Sequence, residues 1–342
     1  MLLIRPIKGK DLKELMELLK DSGHGLTSLP KDEKILSHKI LQSERSFELR
    51  GEGPGGELYL FVMEDLFTGK LIGVSGLISK IGGFEPFWFY RLKTETKKSK
   101  MLNIEKEVKT LNIYKTHSGP AEICSLYLHP EFRNSQNGRF LSLSRFLFLA
   151  ENEKFFEEFV IAEMRGQVND DGHSPFWSAV GKKFMDIEFV EADYLSMKSK
   201  KFLEELLPEQ PILVDLLPED AQKVIGEVHS NTVPARRILE KEGFNFEGLV
   251  GIFEPGPILE AKVREIRAFK ESRVIKIGEI SNEDFNSDTY IMSTVGEGPS
   301  FRAALGKIAI LKTNDAKIQA VTATGLKLKL GDSIRFVSLR PE

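Results

Sequence analysis

A mixed α/β protein built on a sheet with a parallel strand pair is what this sequence predicts, on three observations. Between residues 121 and 184, apolar runs of strand length alternate with capped helical patterns, which implies parallel strands joined by a helix. A layout of cap, proline, helix, glycine-phenylalanine turn and strand at 231–253 echoes the layout at 174–190. After residue 271 the chain changes to short alternating strands split by Gly and Asn-Asp turns.

Taken in order, residues 2–7 (LLIRPI) read as a short strand, and Asp11 caps a helix running to Lys20 with apolar residues at helical spacing. A Gly-rich loop at 23–30 ends at Pro30, and 31–49 is a second amphipathic helix. GEGPGG at 51–56 breaks it. The runs at 57–65 and 71–79 flank LFTGK, a strand-turn-strand signal. The tract 83–120, with the aromatic cluster FEPFWFY and a basic run at 93–100, reads as a long connection with some strand and a functional loop. From 121 come a strand, a helix at 137–152, a strand at 158–166 and a helix at 174–184 begun by Ser174 and Pro175. In the tail, 307–313, 318–324, 326–330 and 333–339 read as strands of a small β appendage whose edges hint at association. The expected divisions are 1–190, 191–270 and 271–342.

Composition narrows the function. The 342 residues are 41% hydrophobic and 29% charged, with a net charge of −3. That balance supplies no field for nucleic acid or an anionic membrane. No apolar run reaches the ~18 residues of a membrane span. The first twenty residues, charged from Arg5 onward, lack a signal-peptide core. Cys124 is the one cysteine, so intramolecular disulfides and cysteine-pair zinc sites are excluded and a reducing cytoplasm fits. The six histidines show no ligand spacing, so no metal is expected.

The stretch LYLHPEFRNSQNGRFL at 126–141 carries the chemistry. A strand, a polar loop and a helix start together offer unpaired backbone N–H groups and positive dipole potential to an anion. Gly138 allows close approach, and Arg133 and Arg139 add charged donors. An ordinary solvated turn between strand and helix is the bland alternative.

This stretch resembles the acetyl-coenzyme A signature of the GCN5-related N-acyltransferase superfamily, with Arg133 and Gly138 at the first Arg and last Gly. Gln136 stands where that superfamily has glycine. The resemblance implies that fold, single or in tandem, and a coenzyme A pyrophosphate held by loop amides. The coenzyme contacts would then be Leu126, Leu128, Arg133, Asn134, Gln136, Gly138 and Arg139. Further blocks are GLTSLP (25–30), AEMRG (162–166), SPFW (174–177), ELLPEQPI (205–212), IGEVH (225–229) and PARRILEKEGF (234–244). In this order they resemble the bacterial arginine N-succinyltransferases, over residues 1 to about 275. EPGP at 254–257 departs from that family's usual Asp-Gly-Gly-Pro.

The resemblance implies succinyl-coenzyme A as co-substrate, no permanently bound cofactor, L-arginine as acceptor, and the first step of arginine breakdown by the succinyl route. It implies His229 as proton donor and Leu126 as an acyl-donor contact. It also implies a homo-oligomer, or a hetero-oligomer with a homologous subunit. Transfer to ornithine, and a non-catalytic coenzyme A or amino-acid sensor, are the alternatives. Glu163 and Arg165, two apart on one strand, share a face. They hold the substrate's guanidinium and carboxylate, with the succinyl carboxylate as the alternative for Arg165, or form an ion pair within the sheet. Thr27 and Ser28 bind carboxylate oxygens or cap the following helix. Cys124 reads as a packed small residue, so transfer is expected to be direct.

Overall fold

The computed structural model describes residues 1–22, 26, 28–49, 51–83, 85–169, 171–296 and 298–340. Thr27 lies outside the described residues. Strand β1 (Leu2–Pro6) leads to helices α1 (Leu12–Leu19) and α2 (Glu33–Glu48), followed by β2 (Leu58–Asp65) and β3 (Leu71–Ile78). The long strands β4 (Phe87–Ser99) and β5 (Ile104–Thr116) precede β6 (Ala121–Leu128), α3 (Ser135–Glu151) and β7 (Phe159–Glu163). Short helices follow: α4 (Pro175–Ala179), α5 (Gly181–Met185), α6 (Phe189–Ser196) and α7 (Lys201–Leu206). Then come β8 (Ile212–Leu213), α8 (Glu219–Lys223), α9 (Val233–Lys241), β9 (Asn245–Val250), β10 (Pro257–Lys262) and α10 (Arg267–Glu271). The tail holds β11 (Arg273–Ser281), β12 (Thr289–Thr294), β13 (Ala303–Ile310), β14 (Ala316–Gln319), α11 (Ala320–Leu326) and β15 (Ser333–Ser338).

One sheet runs β1-β2-β3-β6-β7-β10-β9-β4-β5-β8, with β6 and β7 parallel and joined through α3. Period-2 alternation sorts β2 between two cores. Tyr59, Phe61 and Met63 pack toward α3, while Leu58, Leu60 and Val62 pack toward α1 and α2. Helix α3 is apolar nearly all round and is buried accordingly, with Phe140, Phe146 and Phe148 fully enclosed.

Several expectations are corrected. The tract 83–120 is a hairpin paired along thirteen residues, from Phe87↔Thr116 to Ser99↔Ile104, docked on β9. Its outer part is exposed on both faces, so it shows no period-2 signal. The echo of the second half breaks at Phe189, where α6 replaces the expected strand because Phe189 and Ala192 bury at helical spacing. Residues 320–326 are helical despite β-branched composition, since Thr322, Ala323 and Leu326 find a core on one side. Residues 326–330 form no strand, whereas 273–281 and 289–294 do. In the tail β12 pairs with both β15 and β13, closing β12-β15-β11-β14-β13 into a five-stranded barrel. Closure removes the edges that hinted at association. The barrel joins the main sheet through Leu3↔Ala304 and Ile4↔Ala303.

Asp11 does not cap α1 with its side chain. It accepts the Lys8 N–H and holds the Arg5 guanidinium at 2.7 and 3.0 Å. The cap of α2 is Asp32, so Ser28 is relieved of that role.

Candidate functional site

Strands β6 and β7 pair at Ala121↔Val160 and Glu122↔Ile161, near the start of both strands. Within β6 the register against β3 shifts between Val74 and Gly76, and Ser125 takes φ 56°, a left-handed strain for a residue with a Cβ. The fully buried Arg145 of α3 braces this bulge by donating to Gly76 O and Cys124 O. Lacking a carboxylate partner in those bonds, its guanidinium is pushed down to about 10 by desolvation. Past the bulge lie half-buried Leu126 and buried Leu128.

The loop beyond is held by its own side chains. Arg133 donates to Leu128 O at 2.9 Å and lies over the Tyr127 ring. Asn134 caps α3, its Oδ1 accepting from Gln136 N and Asn137 N at 3.0 and 2.8 Å. Two amides expected to face an anion are therefore engaged by the cap. A Cβ on Gly138 would meet nothing within 4 Å, so neither packing nor φ requires glycine there, and space lies over it. Gln136 is exposed. Arg139 has a buried Nη1 without a partner and feels Glu242 and Arg267, which places it toward α9 and α10.

Across the gap, the end of β7 gathers charge. Glu163 reaches solvent, while its surroundings strip enough hydration to raise its carboxyl above the usual range. Arg165 follows, and its carbonyl accepts the His229 N–H at 2.9 Å, while Gly166 bridges Val228. That bridge joins positions 62 residues apart, Gly166 and Val228, and carries His229 to the end of β7, which no local pattern predicts. His229 Nδ1 accepts the Asn231 N–H at 3.2 Å, so in the neutral ring the proton sits on Nε2.

The turn between β9 and β10 closes on the same place. A Cβ on Gly256 would lie 2.1 Å from Met164 O, and one on Gly166 3.1 Å from Glu254 Cβ, so both glycines are needed for close approach. Glu254 Oε1 accepts the Gly166 N–H at 3.2 Å. Desolvation, then neighbouring Asp193, pushes Glu254 up to about 8. Desolvation, then Glu163, raises Asp193 to about 7 and Glu122 to about 8. Lys200 and Lys39 oppose the rise at Glu122.

The family model described as Arginine N-succinyltransferase beta subunit matches residues 2–268. The chain belongs to the arginine N-succinyltransferase family. A relative of that name from Yersinia pseudotuberculosis is 40% identical over 99% of this chain and 98% of its own length. One from Salmonella paratyphi B is 38% identical over 100% and 99%. The solved structure of arginine/ornithine succinyltransferase subunit AI from Pseudomonas aeruginosa superposes with a TM-score of 0.89 at 32% identity, covering 100% of this chain and 99% of that one.

Against this family's expected residues, the structure assembles two groups. Leu126, Leu128, Arg133, Asn134, Gln136 and Gly138 line the end of β6 and the start of α3, with Arg139 turned aside. Glu163, Arg165 and His229 meet at the end of β7. Ser28 sits half-buried in the turn between α1 and α2. Sequence reasoning missed Glu122, Asp193 and Glu254. Glu122 had a signal, a carboxylate opening an apolar strand, and Glu254 sat in a block that departs from the family; Asp193 had none. Burial holds the Cys124 thiol at about 12, so it is protonated and a poor nucleophile at neutral pH. Phe87, Trp88 and Tyr90 are core residues. Among the described residues no three His, Cys, Asp or Glu side chains converge on a metal position, and no helix is long and apolar enough to cross a membrane. A separate groove of about 810 Å³ between β1 and the barrel is lined by Arg5, Lys8, Lys10 and Arg302 and contains none of these residues.

Proposed function

We infer that this chain is an acyltransferase that moves a succinyl group from succinyl-coenzyme A to the α-amine of L-arginine. The observation that carries this is the full-length relationship to proteins named arginine N-succinyltransferase. The open space over Gly138 at the start of α3 suits the coenzyme pyrophosphate, with the helix dipole behind it. Leu126, beyond the point where β6 and β7 are paired, offers its backbone to the pantetheine arm. Glu163 takes the guanidinium and Arg165 the carboxylate of the acceptor; Thr27 and Ser28 are assigned hydroxyl contacts to carboxylate oxygens.

The amine nitrogen attacks the thioester carbonyl, the carbon–sulfur bond breaks, and His229 Nε2 gives its proton to the leaving sulfur. Glu122, paired across to β7 and within electrostatic reach of Glu163, is held at about 8 by burial, and we assign it to take the amine proton. In this reading residues 1–190 supply the coenzyme side, 191–270 complete the cleft with His229, and 271–342 brace the sheet. The enzyme is cytoplasmic and works as a homo-oligomer or with a homologous subunit.

Release of free thiol from succinyl-coenzyme A on adding arginine tests the activity. Arginine is expected to give the higher kcat/KM and ornithine the lower; no release with either overturns it. The coenzyme site has its own test in Gly138→Ala. Alanine for glycine inside a helix should raise stability by about 0.5–1 kcal/mol. The added methyl should meanwhile raise the KM for succinyl-coenzyme A at least about tenfold, through loss of close backbone approach. An unchanged KM would move the pyrophosphate away from Gly138.

A further inference from the structure

Two carboxylates from distant parts of the chain, Asp193 and Glu254, lie within electrostatic reach of both Glu163 and the Arg165 guanidinium at the end of β7. Glu163 and Arg165 come from β7 and its extension, Asp193 from α6, and Glu254 from the turn after β9. Glu254 feels Asp193, Arg165 and Glu163, and Asp193 feels Glu163 and Arg165. Lys200 is the further cation that Glu163 feels. The layers are visible in the geometry. Glu163 is exposed at the cleft, and a Cβ on Gly251, in the same turn as Glu254, would come 3.1 Å from Glu163 Oε1. Glu254 Oε2 is shielded from solvent and has no hydrogen-bond partner, as is the Nε of Arg165.

An unpartnered buried carboxylate oxygen is costly, so a group of this kind needs a reason. Its other oxygen serves the Gly166 N–H, which a neutral amide oxygen would serve equally well. What the charge adds is an excess of negative charge: Glu163, Asp193 and Glu254 have only Arg165 and Lys200 as the cations they feel. A cationic group that enters the cleft at the exposed Glu163 offsets that excess.

We propose that Glu254 and Asp193 are specificity-determining positioning residues, a second row of carboxylates behind Glu163 that selects an amino acid with a cationic side chain and yields a proton as that cation enters. This rests on the acyltransferase reading and deepens its acceptor site. The sign follows from the surroundings. In the empty cleft Glu254 is held at about 8 and Asp193 at about 7, so both are partly protonated near neutrality. An arriving guanidinium favours the ionised forms, and protons leave. The release is greatest near pH 7–8 and fades at higher pH, where both groups are ionised already.

Titration calorimetry with L-arginine in two buffers of different ionisation enthalpy reads this directly. At pH 7.5 the wild-type protein should release a sizeable fraction of a proton on binding arginine and none on binding citrulline, its neutral ureido isostere. Glu254→Gln keeps an acceptor for Gly166 and removes the charge. It should raise the KM for arginine about ten- to hundredfold, leave the KM for succinyl-coenzyme A unchanged, and reduce the proton release. Asp193→Asn should act in the same direction. The wild-type buffer comparison needs no variant to fold. If arginine binding releases no proton, or if Glu254→Gln keeps arginine affinity and proton release, the second row plays no part in selection. Thiol release that persists with arginine in that event leaves the acyltransferase reading standing; absence of thiol release overturns both.

Discussion

Replacing His229 with asparagine is expected to lower kcat by about 10²–10⁴-fold, the usual worth of a positioned general acid. The KM for succinyl-coenzyme A should hardly move, since the proton is needed only as the carbon–sulfur bond breaks. Asparagine is chosen because His229 has two jobs. Its Nδ1 accepts the Asn231 N–H at the start of a short helical turn, and asparagine can keep that acceptor. His229→Ala should lose the acid and the cap together, adding about 1 kcal/mol of destabilisation. Steady-state kinetics beside urea melts separate the two. An asparagine variant that keeps wild-type kcat would remove His229 from the chemistry, and one that loses kcat and coenzyme affinity equally would make it a binding residue.

The largest effect on stability is expected at Glu242. Its side chain is fully buried, accepts from Arg267 Nε and Nη2 at 3.0 and 2.8 Å, and accepts from Ala268 N at 2.9 Å. Arg267 in turn reaches Ser338 O at 3.3 Å, so one ion pair ties α9 and α10 to the last strand of the barrel. Removing Glu242 leaves a largely buried guanidinium with only the exposed Glu271 as its carboxylate partner, at 3.1 Å. Glu242→Ala should cost about 3–5 kcal/mol, the range for one member of a buried pair. Adding Arg267→Met should recover much of this, because the stranded charge goes too. The urea midpoint at unchanged m-value measures both. A loss below about 1 kcal/mol would place this contact with exposed pairs.

Legibility in the sequence tracked the range of the interaction. The helices of residues 12–19 and 33–48 were readable because burial on one side imposes a period within a dozen residues, and the helix of 135–151 because a long apolar run follows a polar capping turn. The hairpin at 87–116 was not, because its outer strands bury neither face and carry no alternation. The helix at 320–326 was misread because its threonines and valine favour strands when their tertiary neighbours are unknown. The coenzyme side of the site was legible as one contiguous stretch, 126–139. Even there the engagement of the Gln136 and Asn137 amides by Asn134, and the turning of Arg139 toward α9, needed coordinates.

What the sequence determined by itself was therefore local: the mixed α/β class, the strand–loop–helix with Gly138, the pairing of Glu163 and Arg165 on one face, and a histidine at an element boundary. What only the tertiary structure decided was who meets whom. The register of one bridge, Gly166↔Val228, brings His229 to Arg165, and three glycine-dependent approaches bring Glu254 beneath Glu163. Asp193 arrives on α6, a helix whose first two residues read as strand and whose remainder had no assignment. The reason is physical. Side-chain periodicity is written by the nearest few residues, whereas the charge and dryness of a cleft are summed over groups that lie far apart along the chain and close together in space.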